Sequence, residues 1–322
     1  MDSLLTGGLL VNRTTGRGEH PAELIVQEHN KAPRLLRVYV WNVTHGGGAA
    51  RAANEYRIQV TGIDRFEAPP GGEVLILGWF EELEVFAAFD FRFHSVRLGA
   101  SPSIQIGRNA LEAAARNGFA PYTRGNGEIT VAVRWDLLAA YVSQLKELHD
   151  FGDGVEDFRA LEHISDNPEN LAPALSPSIS APRSRVLVQT ARLLRDAGFR
   201  DRVLAAYGHA CAFCGVQLEL LDAAHIVPVN HDASSDEVSN GIALCALHHR
   251  SYDRSLITFD TSYRLVIDER RMDRLRMRER ALGEDGFRRA LRETIVLPSR
   301  TDHRPKPEIV SLANELRGWR LA

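Results

Sequence analysis

The sequence predicts an α+β protein with an N-terminal mixed α/β domain, a linker, and a C-terminal domain stapled by a metal ion and flanked by helices. Three observations lead to this prediction. Segments rich in Val, Ile and aromatic residues, typical of strands, recur through the first 150 residues. Periodicity is lost between residues 151 and 185, where Pro, Ser and Gly recur. Beyond that point, all three cysteines of the chain lie between positions 211 and 245.

Length and composition agree with two globular domains. A chain of 322 residues is too long for one small core, and its 44% hydrophobic and 25% charged content is ordinary for a folded protein. No apolar run reaches the roughly 18 residues of a membrane span, and the start lacks the pattern of a signal peptide. We therefore expect a cytoplasmic protein without a membrane partner. The net charge of −3 argues against a protein that coats nucleic acid, but it allows local basic surfaces.

The N-terminal domain is expected to span residues 1–150, followed by a linker over 151–185. Strands are predicted at 35–41, 55–61, 73–78, 85–92 and 128–133, and helices at 109–115 and 136–148. The second domain is expected to span 186–322 and opens with helical periodicity from Val186. Gly198 interrupts that periodicity, which predicts two helices or a kink.

The cysteines favour a metal site. Their number is odd, so disulfides would leave one thiol unpaired. Cys211 and Cys214 are two residues apart and can face one cation, while a Cys and a His three apart on a helix, as Cys245 and His248 are, share a face. This Cys3His set suits structural Zn²⁺ better than three reduced, buried thiols without a metal. Helix geometry alone allows either His248 or His249 to reach the ion.

Three further residues lie among these ligands at specific positions. They are His225 in AAHIVP, Asn240 in NGIALC and His249 in LHHRSYD. In order and spacing they resemble the HNH endonucleases, also called ββα-metal nucleases, over a core of residues 207–260. The resemblance implies a hairpin whose first strand carries His225, followed by a helix that carries His249.

The resemblance also implies a role for each residue. His225 would be the general base that activates water for attack on a phosphodiester, and Asn240 would fix the loop that aims it. His249 would bind a catalytic divalent ion, Mg²⁺ or Mn²⁺, and the expected products carry 5′-phosphate and 3′-hydroxyl ends. Comparison with the cysteine pairs of the family assigns His248 to the zinc ion.

One position departs from the family pattern. Many members carry a metal-binding carboxylate directly before the catalytic histidine, where this chain has Ala224. Asp222 lies on the same side of the strand and is either a substitute ligand or an acid that orients a histidine, and Asp253 is another candidate ligand. Arg250 and Arg254 follow at spacings that can reach phosphates, although such arginines are more often solvated.

Four blocks of the N-terminal domain resemble a module of prokaryotic restriction and modification proteins. They are WNVTH at 41–45, NEYRIQ at 54–59, LGW at 77–79 and SPSIQ at 101–105. Within them, Trp41, His45, Tyr56 and Arg57 are candidates for contacts with base edges or with a flipped base. For any single aromatic residue, a place in the core of the sheet is the more frequent outcome.

Together these features predict a restriction-type endonuclease that hydrolyses double-stranded DNA. Its N-terminal domain would read a sequence or a modified base, and cutting two strands with one-strand active sites favours a homodimer. The alternative is a zinc-stapled DNA-binding regulator without catalysis. The joint presence of His225, Asn240 and His249 argues against that alternative, because a purely structural knuckle needs none of them.

Overall fold

The computed structural model describes residues 2–6, 9–28, 30–46, 53–150, 155–175, 179–218 and 220–321. It divides the chain into two compact units, Met1–Arg195 and Asp196–Ala322. Helices and strands occur in both units, which confirms the predicted α+β class. None of the helices in the described part of the chain has both the length and the apolar character that a membrane span requires.

The first unit is built on a nine-stranded sheet. Its strands are β1 Leu10–Arg13, β2 Ala22–Gln27, β3 Arg34–His45, β4 Glu55–Gln59, β5 Glu73–Phe80, β6 Val85–Phe89, β7 Ser103–Gly107, β8 Phe119–Thr123 and β9 Ile129–Arg134. Its helices are α1 Asp2–Thr6, α2 Phe91–His94, α3 Arg108–Asn117, α4 Leu138–Ser143, α5 Leu145–His149, α6 Val155–Asp166 and the first part of α7 Ala181–Ala206. The five predicted strands correspond to β3, β4, β5, β6 and β9.

Seven strands run in the order β1-β2-β3-β5-β6-β9-β8, and β3 and β5 are the parallel pair among them. The strand β3 is twelve residues long, and its two ends have different neighbours. Its first half pairs with β2, whereas its last three residues pair with β4, which in turn pairs with β7. The long strand therefore carries the 41–45 block from the main sheet to this second strand pair.

Both faces of the central strand β5 are covered. Leu75 and Leu77 enter a core that includes residues of α4, α6 and the first part of α7, while Val74 and Ile76 enter a second core that includes residues of α3. Side chains alternate between the two faces of a strand, and a strand buried on both faces is apolar throughout. This accounts for the continuous apolar run in the sequence of β5.

Two segments differ from the sequence prediction. Residues 155–166 of the predicted linker form α6, which buries Ala160, Leu161 and Ile164 in the first core. The remaining linker positions 151–154 and 176–178 lie outside the described residues. The helix α7 runs unbroken through Gly198, so two separate helices are not formed. Burial of Phe199 and Val203 just beyond it offsets the cost of about 1 kcal/mol for a glycine inside a helix.

The second unit contains a hairpin followed directly by a helix. Its elements after α7 are β10 Leu221–His225, β11 Gly241–Cys245, α8 Ala246–Asp253, β12 Ile257–Phe259, β13 Leu265–Ile267, α9 Glu269–Met277, α10 Glu284–Ala290 and α11 Pro307–Leu316. The strands β10 and β11 are antiparallel and place His225 opposite Gly241. Every residue of β11 is buried, so this strand forms the centre of the unit's core.

Candidate active site and metal centre

The three cysteines and His248 form one cluster in the second unit. The ligand atoms of Cys211, Cys214, Cys245 and His248 all lie within 4.8 Å of one another. His248 Nδ1 is 3.2 Å from Cys245 Sγ and 3.5 Å from Cys211 Sγ. Zinc bonds of about 2.3 Å to sulfur and about 2.0 Å to nitrogen place neighbouring ligands of a tetrahedron about 3.5–3.8 Å apart. The four side chains therefore fit a tetrahedral metal ion.

Backbone hydrogen bonds hold the halves of this cluster together. Gly215 N donates to Cys211 O at 2.7 Å, which closes the first cysteine loop. Gly215 has a φ of +81°, a conformation that glycine adopts without steric cost. Ala212 N donates to Ala243 O on β11 at 2.8 Å, and β11 ends at Cys245. The cysteine loop is thus tied to the strand that delivers the third thiol.

The surroundings of the thiols disfavour three negative charges without a cation. Burial raises the pKa of Cys214 to about 12 and also raises the pKa of Cys245. Burial acts the same way on Cys211, but hydrogen bonds from His248 and from backbone amides outweigh it and lower its pKa to about 6. A divalent ion at the centre would stabilise the thiolates that burial disfavours.

His225 is held on two sides at the end of β10. Its ring stacks on Phe199 of α7, with centroids 3.9 Å apart and planes inclined by 13°. Its Nε2 lies 2.9 Å from Asp236 Oδ1. With Nε2–H donating to that carboxylate, the lone pair remains on Nδ1. Among the described residues, Nδ1 has no hydrogen-bond partner, so it can accept a proton.

Gly241 explains how Phe199 reaches His225. A Cβ atom at position 241 would lie 2.3 Å from Val203 Cγ2 and 3.0 Å from Phe199 Cζ. A larger residue would therefore push α7 away from the hairpin. Glycine is required here for close approach rather than for backbone conformation, since its φ of −115° is open to any residue.

Arg317, just beyond α11, fixes the backbone of His225. Its guanidinium donates to the carbonyl of His225 at 3.3 Å and also to the carbonyl of Ile226. The same group lies 4.3 Å from the ring centroid of Tyr252 on α8, a cation–π distance. Arg317 thus links the end of β10 to the helix that carries His249.

Asn240 is buried and bonded to the loop that follows His225. Its Oδ1 accepts from Val227 N at 2.8 Å, and its Nδ2 donates to Ser235 O at 2.9 Å. These bonds hold both ends of segment 227–235, which lies between His225 and Asp236 in the chain. The structure therefore places Asn240 where it can order the partner of His225, and away from solvent.

His249 lies on α8 between two carboxylates. Its Nδ1 is 3.6 Å from Asp222 Oδ2, and its Nε2 is 3.6 Å from Asp253 Oδ2. The adjacent Asp222 raises the pKa of His249 against the opposing effect of burial, and the pKa of Asp222 is lowered in turn. Because the two acids face different nitrogens of His249, an ion bound to one of these nitrogens can have only one of the two acids as a further ligand. Ala224 is buried and offers no ligand.

His249 and one of these two acids together could offer a divalent ion one imidazole nitrogen and one carboxylate oxygen, of which the carboxylate is the donor that suits a hard ion. Arg250 and Arg254 lie beside them on α8 and at its C-terminal end. Both arginines are exposed, and neither is paired with an acid in the described part of the chain.

The N-terminal candidates fall into two groups. His45 and Tyr56 face each other across β3 and β4, with ring centroids 5.4 Å apart, and Arg57 is the next residue along β4. Tyr56 Oη accepts a hydrogen bond from Arg108 Nη1 at 2.7 Å. Trp41 instead belongs to an aromatic group that it forms with His20, Tyr39 and Phe66. The structure thus brings His45 and Tyr56 together, whereas the side chain of Arg57 points to the opposite face of the sheet.

Three residues at the site do not follow from the motifs in the sequence. They are Phe199, Asp236 and Arg317, and each contacts His225 directly. The acid-rich stretch HDASSDE marks the loop of Asp236, but no spacing rule selects that acid from its neighbours.

Two family matches bear on this geometry. Residues 211–260 match the family described as HNH endonuclease. The chain contains an HNH endonuclease domain. This match confirms the prediction of an HNH-type DNA endonuclease. Residues 34–142 match the family described as Methylase-associated X1, which agrees with the resemblance of the N-terminal blocks to a restriction and modification module.

Among solved structures, the modification-dependent TagI restriction endonuclease is similar over 89% of this chain and 82% of that chain, with 14% identity and a TM-score of 0.28. A TM-score this low carries no inference about fold or function. No curated protein matches the chain.

Proposed function

We propose that this endonuclease is of the restriction type, hydrolysing phosphodiester bonds of double-stranded DNA at targets chosen by its N-terminal unit. The observation that carries the proposal is the occurrence, in one chain, of an HNH endonuclease match and a methylase-associated match. A hairpin and a helix offer little surface for reading sequence, so the target has to be recognised elsewhere in the chain.

His225 would take the proton from the attacking water. Its Nδ1 is the nitrogen with a free lone pair, while Asp236 accepts from Nε2 and keeps the ring in that tautomer. Asp236 would also stabilise the imidazolium that forms when the proton is taken. Phe199 fixes the plane of the ring, and Asn240 holds the loop of Asp236.

His249 would bind the catalytic ion, Mg²⁺ or Mn²⁺, together with either Asp222 or Asp253. When bound, that ion would polarise the scissile phosphate and stabilise charge on the leaving 3′ oxygen. Arg250 and Arg254 would contact phosphates next to it. The expected products carry 5′-phosphate and 3′-hydroxyl ends.

Cys211, Cys214, Cys245 and His248 would hold a structural Zn²⁺ ion. Four protein ligands leave no open position for water or substrate, so this ion would stabilise the fold and take no part in hydrolysis. It would tie the loop before β10 to the start of α8. His225 lies on β10, and His249 lies on α8.

We assign target recognition to the N-terminal unit, with His45, Tyr56 and Arg57 as the first candidates for DNA contacts. Trp41 is a weaker candidate, because three aromatic side chains already surround it. We further propose a homodimer, since two one-strand sites are needed to cut both strands of a duplex.

Cleavage of matched duplexes tests the proposal. DNA of one sequence, unmodified or carrying modified cytosine or adenine, is incubated with the protein and Mg²⁺ or Mn²⁺, with the His225→Ala variant as the inactive control. We expect cleavage of some of these duplexes and not of others. Binding without cleavage of any substrate would favour the alternative, a zinc-stapled DNA-binding regulator. Cleavage of every duplex alike would contradict target recognition by the N-terminal unit.

A further inference from the structure

Residues 269–292 form a basic segment in an acidic chain. They contain nine arginines and five acidic residues, a formal charge of +4 in a chain whose total is −3. The segment comprises α9, α10 and the turn between them, all in the second unit. Such a concentration of cations can be neutralised locally, remain solvated or face an anionic partner.

Two of these arginines are neutralised within the segment. Arg276 pairs with Asp273 and with Glu284, while Arg288 pairs with Glu284 and with Glu269. These ion pairs join α9 to α10. They account for three of the five acids, and the other seven arginines form no ion pair with an acid among the described residues.

Four other arginines form what we call the α9 stripe: Arg270, Arg274, Arg278 and Arg280. The first three recur every four residues, so they lie along one side of the helix and its C-terminal cap. All four are exposed, and none is paired with an acidic side chain in the described part of the chain. Like charges at this spacing repel one another, so binding of an anion would stabilise the stripe.

Two apolar side chains that are close to the stripe in the sequence are exposed to solvent. Met277 is 76% exposed, and Leu282, in the turn after α9, is fully exposed. Exposed apolar side chains among arginines are typical of proteins that place a wedge in a DNA groove while cations hold the flanking phosphates. The turn therefore offers both kinds of contact that a duplex presents.

The stripe is attached to the helix of the candidate active site. The Arg271 guanidinium donates to the carbonyl of Arg254, which follows α8. The ring of Phe287 on α10 has its centroid 5.6 Å from that of His248 on α8. Thus α9 is hydrogen-bonded to the residue that follows the helix of His249, and α10 contacts that helix through His248.

We propose that the α9 stripe is a phosphate-binding surface of the nuclease unit, with Leu282 contacting the groove of the same duplex. This inference rests on the proposed function for the nature of the ligand, double-stranded DNA. A second copy of the chain is the less suitable occupant, because in a two-fold contact the stripe would face its own like charges. The contacts are to the DNA backbone, so they supply affinity without sequence preference.

The salt dependence of DNA binding tests the proposal. The triple variant Arg274→Ala/Arg278→Ala/Arg280→Ala is compared with wild type by fluorescence anisotropy on a labelled duplex, without divalent ions, across a series of salt concentrations. Each phosphate contact contributes about 0.9 to the slope of log K against log salt, so we expect the slope to fall by about 2–3. The matched control is Arg264→Ala/Arg300→Ala, which removes exposed arginines that are paired with Asp260 and Asp302. It should leave the slope unchanged.

The same measurements separate the other outcomes. An unchanged slope in a folded triple variant overturns the proposal. If the triple variant dissociates a dimer in sedimentation while its slope stays at the wild-type value, the stripe is a contact between copies and the proposal is wrong. Leu282→Ser should weaken binding about 3- to 10-fold with the slope unchanged, because it removes an apolar contact and no charge. Unchanged affinity removes the role of Leu282. Wild-type protein that binds with the expected slope yet cleaves nothing would contradict the proposed function and leave the stripe supported.

Discussion

Replacing Asp236 with asparagine tests the arrangement around His225 with little change in shape. Asp236 Oδ1 lies 2.9 Å from His225 Nε2, and Asn240 holds the end of its loop. An asparagine can still accept from Nε2–H, but it can also donate, which permits the tautomer with the proton on Nδ1. In that tautomer Nδ1 already carries a proton and cannot take one from water, while the lone pair on Nε2 is directed at the asparagine. The substitution also removes the negative charge that would stabilise the imidazolium.

The expected loss follows from one charge-assisted hydrogen bond. Such a bond contributes about 1.5–3 kcal/mol, and each 1.4 kcal/mol corresponds to about tenfold in rate. The side chain of Asp236 is 38% exposed, and solvent screening puts the effect at the lower end of that range. We therefore expect kcat to fall about 10- to 30-fold.

Steady-state cleavage of a saturating duplex, followed at a series of pH values, measures this effect. The control is Asp232→Asn, which alters an exposed acid of the same loop and should cleave like wild type. Thermal unfolding of both variants checks that the fold is intact. Wild-type kcat and an unchanged pH profile in Asp236→Asn would refute the role of Asp236. Equal losses in both variants would show a non-specific effect of charge in the loop.

Four other outcomes are expected. Cys245→Ser should lower bound zinc, measured by elemental analysis, from about one ion per chain to near zero and destabilise the nuclease unit by several kcal/mol. His249→Ala should abolish cleavage while keeping zinc and the melting temperature, and loss of zinc would instead assign His249 to the cysteine cluster. Gly241→Ala should cost about 1–3 kcal/mol in unfolding free energy and reduce cleavage, since its Cβ displaces Phe199, whereas Gly286→Ala, with no atom within 4 Å of its Cβ, should be neutral or stabilising. The Mg²⁺ concentration for half-maximal cleavage should rise, by up to about tenfold per pH unit, as pH falls through the raised pKa of His249, because the protonated ring cannot bind an ion.

Short-range patterns in the sequence predict the metal cluster and the positions of the family residues. A CxxC pair and a Cys–His pair on a helix fix ligand geometry within a few residues, so the spacing groups Cys211, Cys214 and Cys245 with one of the two adjacent histidines, and the family resemblance selects His248. The same holds for the central strands, because β5 is apolar on both faces. These predictions depend on residue type, on spacing and on the resemblance to the family.

Features that depend on tertiary packing cannot be predicted in this way. Asp236 reaches His225 across 11 residues through a loop, and Arg317 does so across 92 residues. The strand β8 contains Pro121, which argues against a strand in general, yet β8 is the last strand of its sheet, where the missing N–H is tolerated. The helix α6 is flanked by Gly and Pro residues, and its buried side is defined by the core that it enters.

The bond from Arg317 to the His225 carbonyl also bears on when the enzyme becomes active in a cell. Translation proceeds at about 5–20 residues per second, and 92 residues separate these two partners, so the base is synthesised on the order of 5–20 s before the group that fixes its backbone. A growing chain that already carries His225 therefore lacks a completed site. The site is therefore completed only after Arg317 has been synthesised.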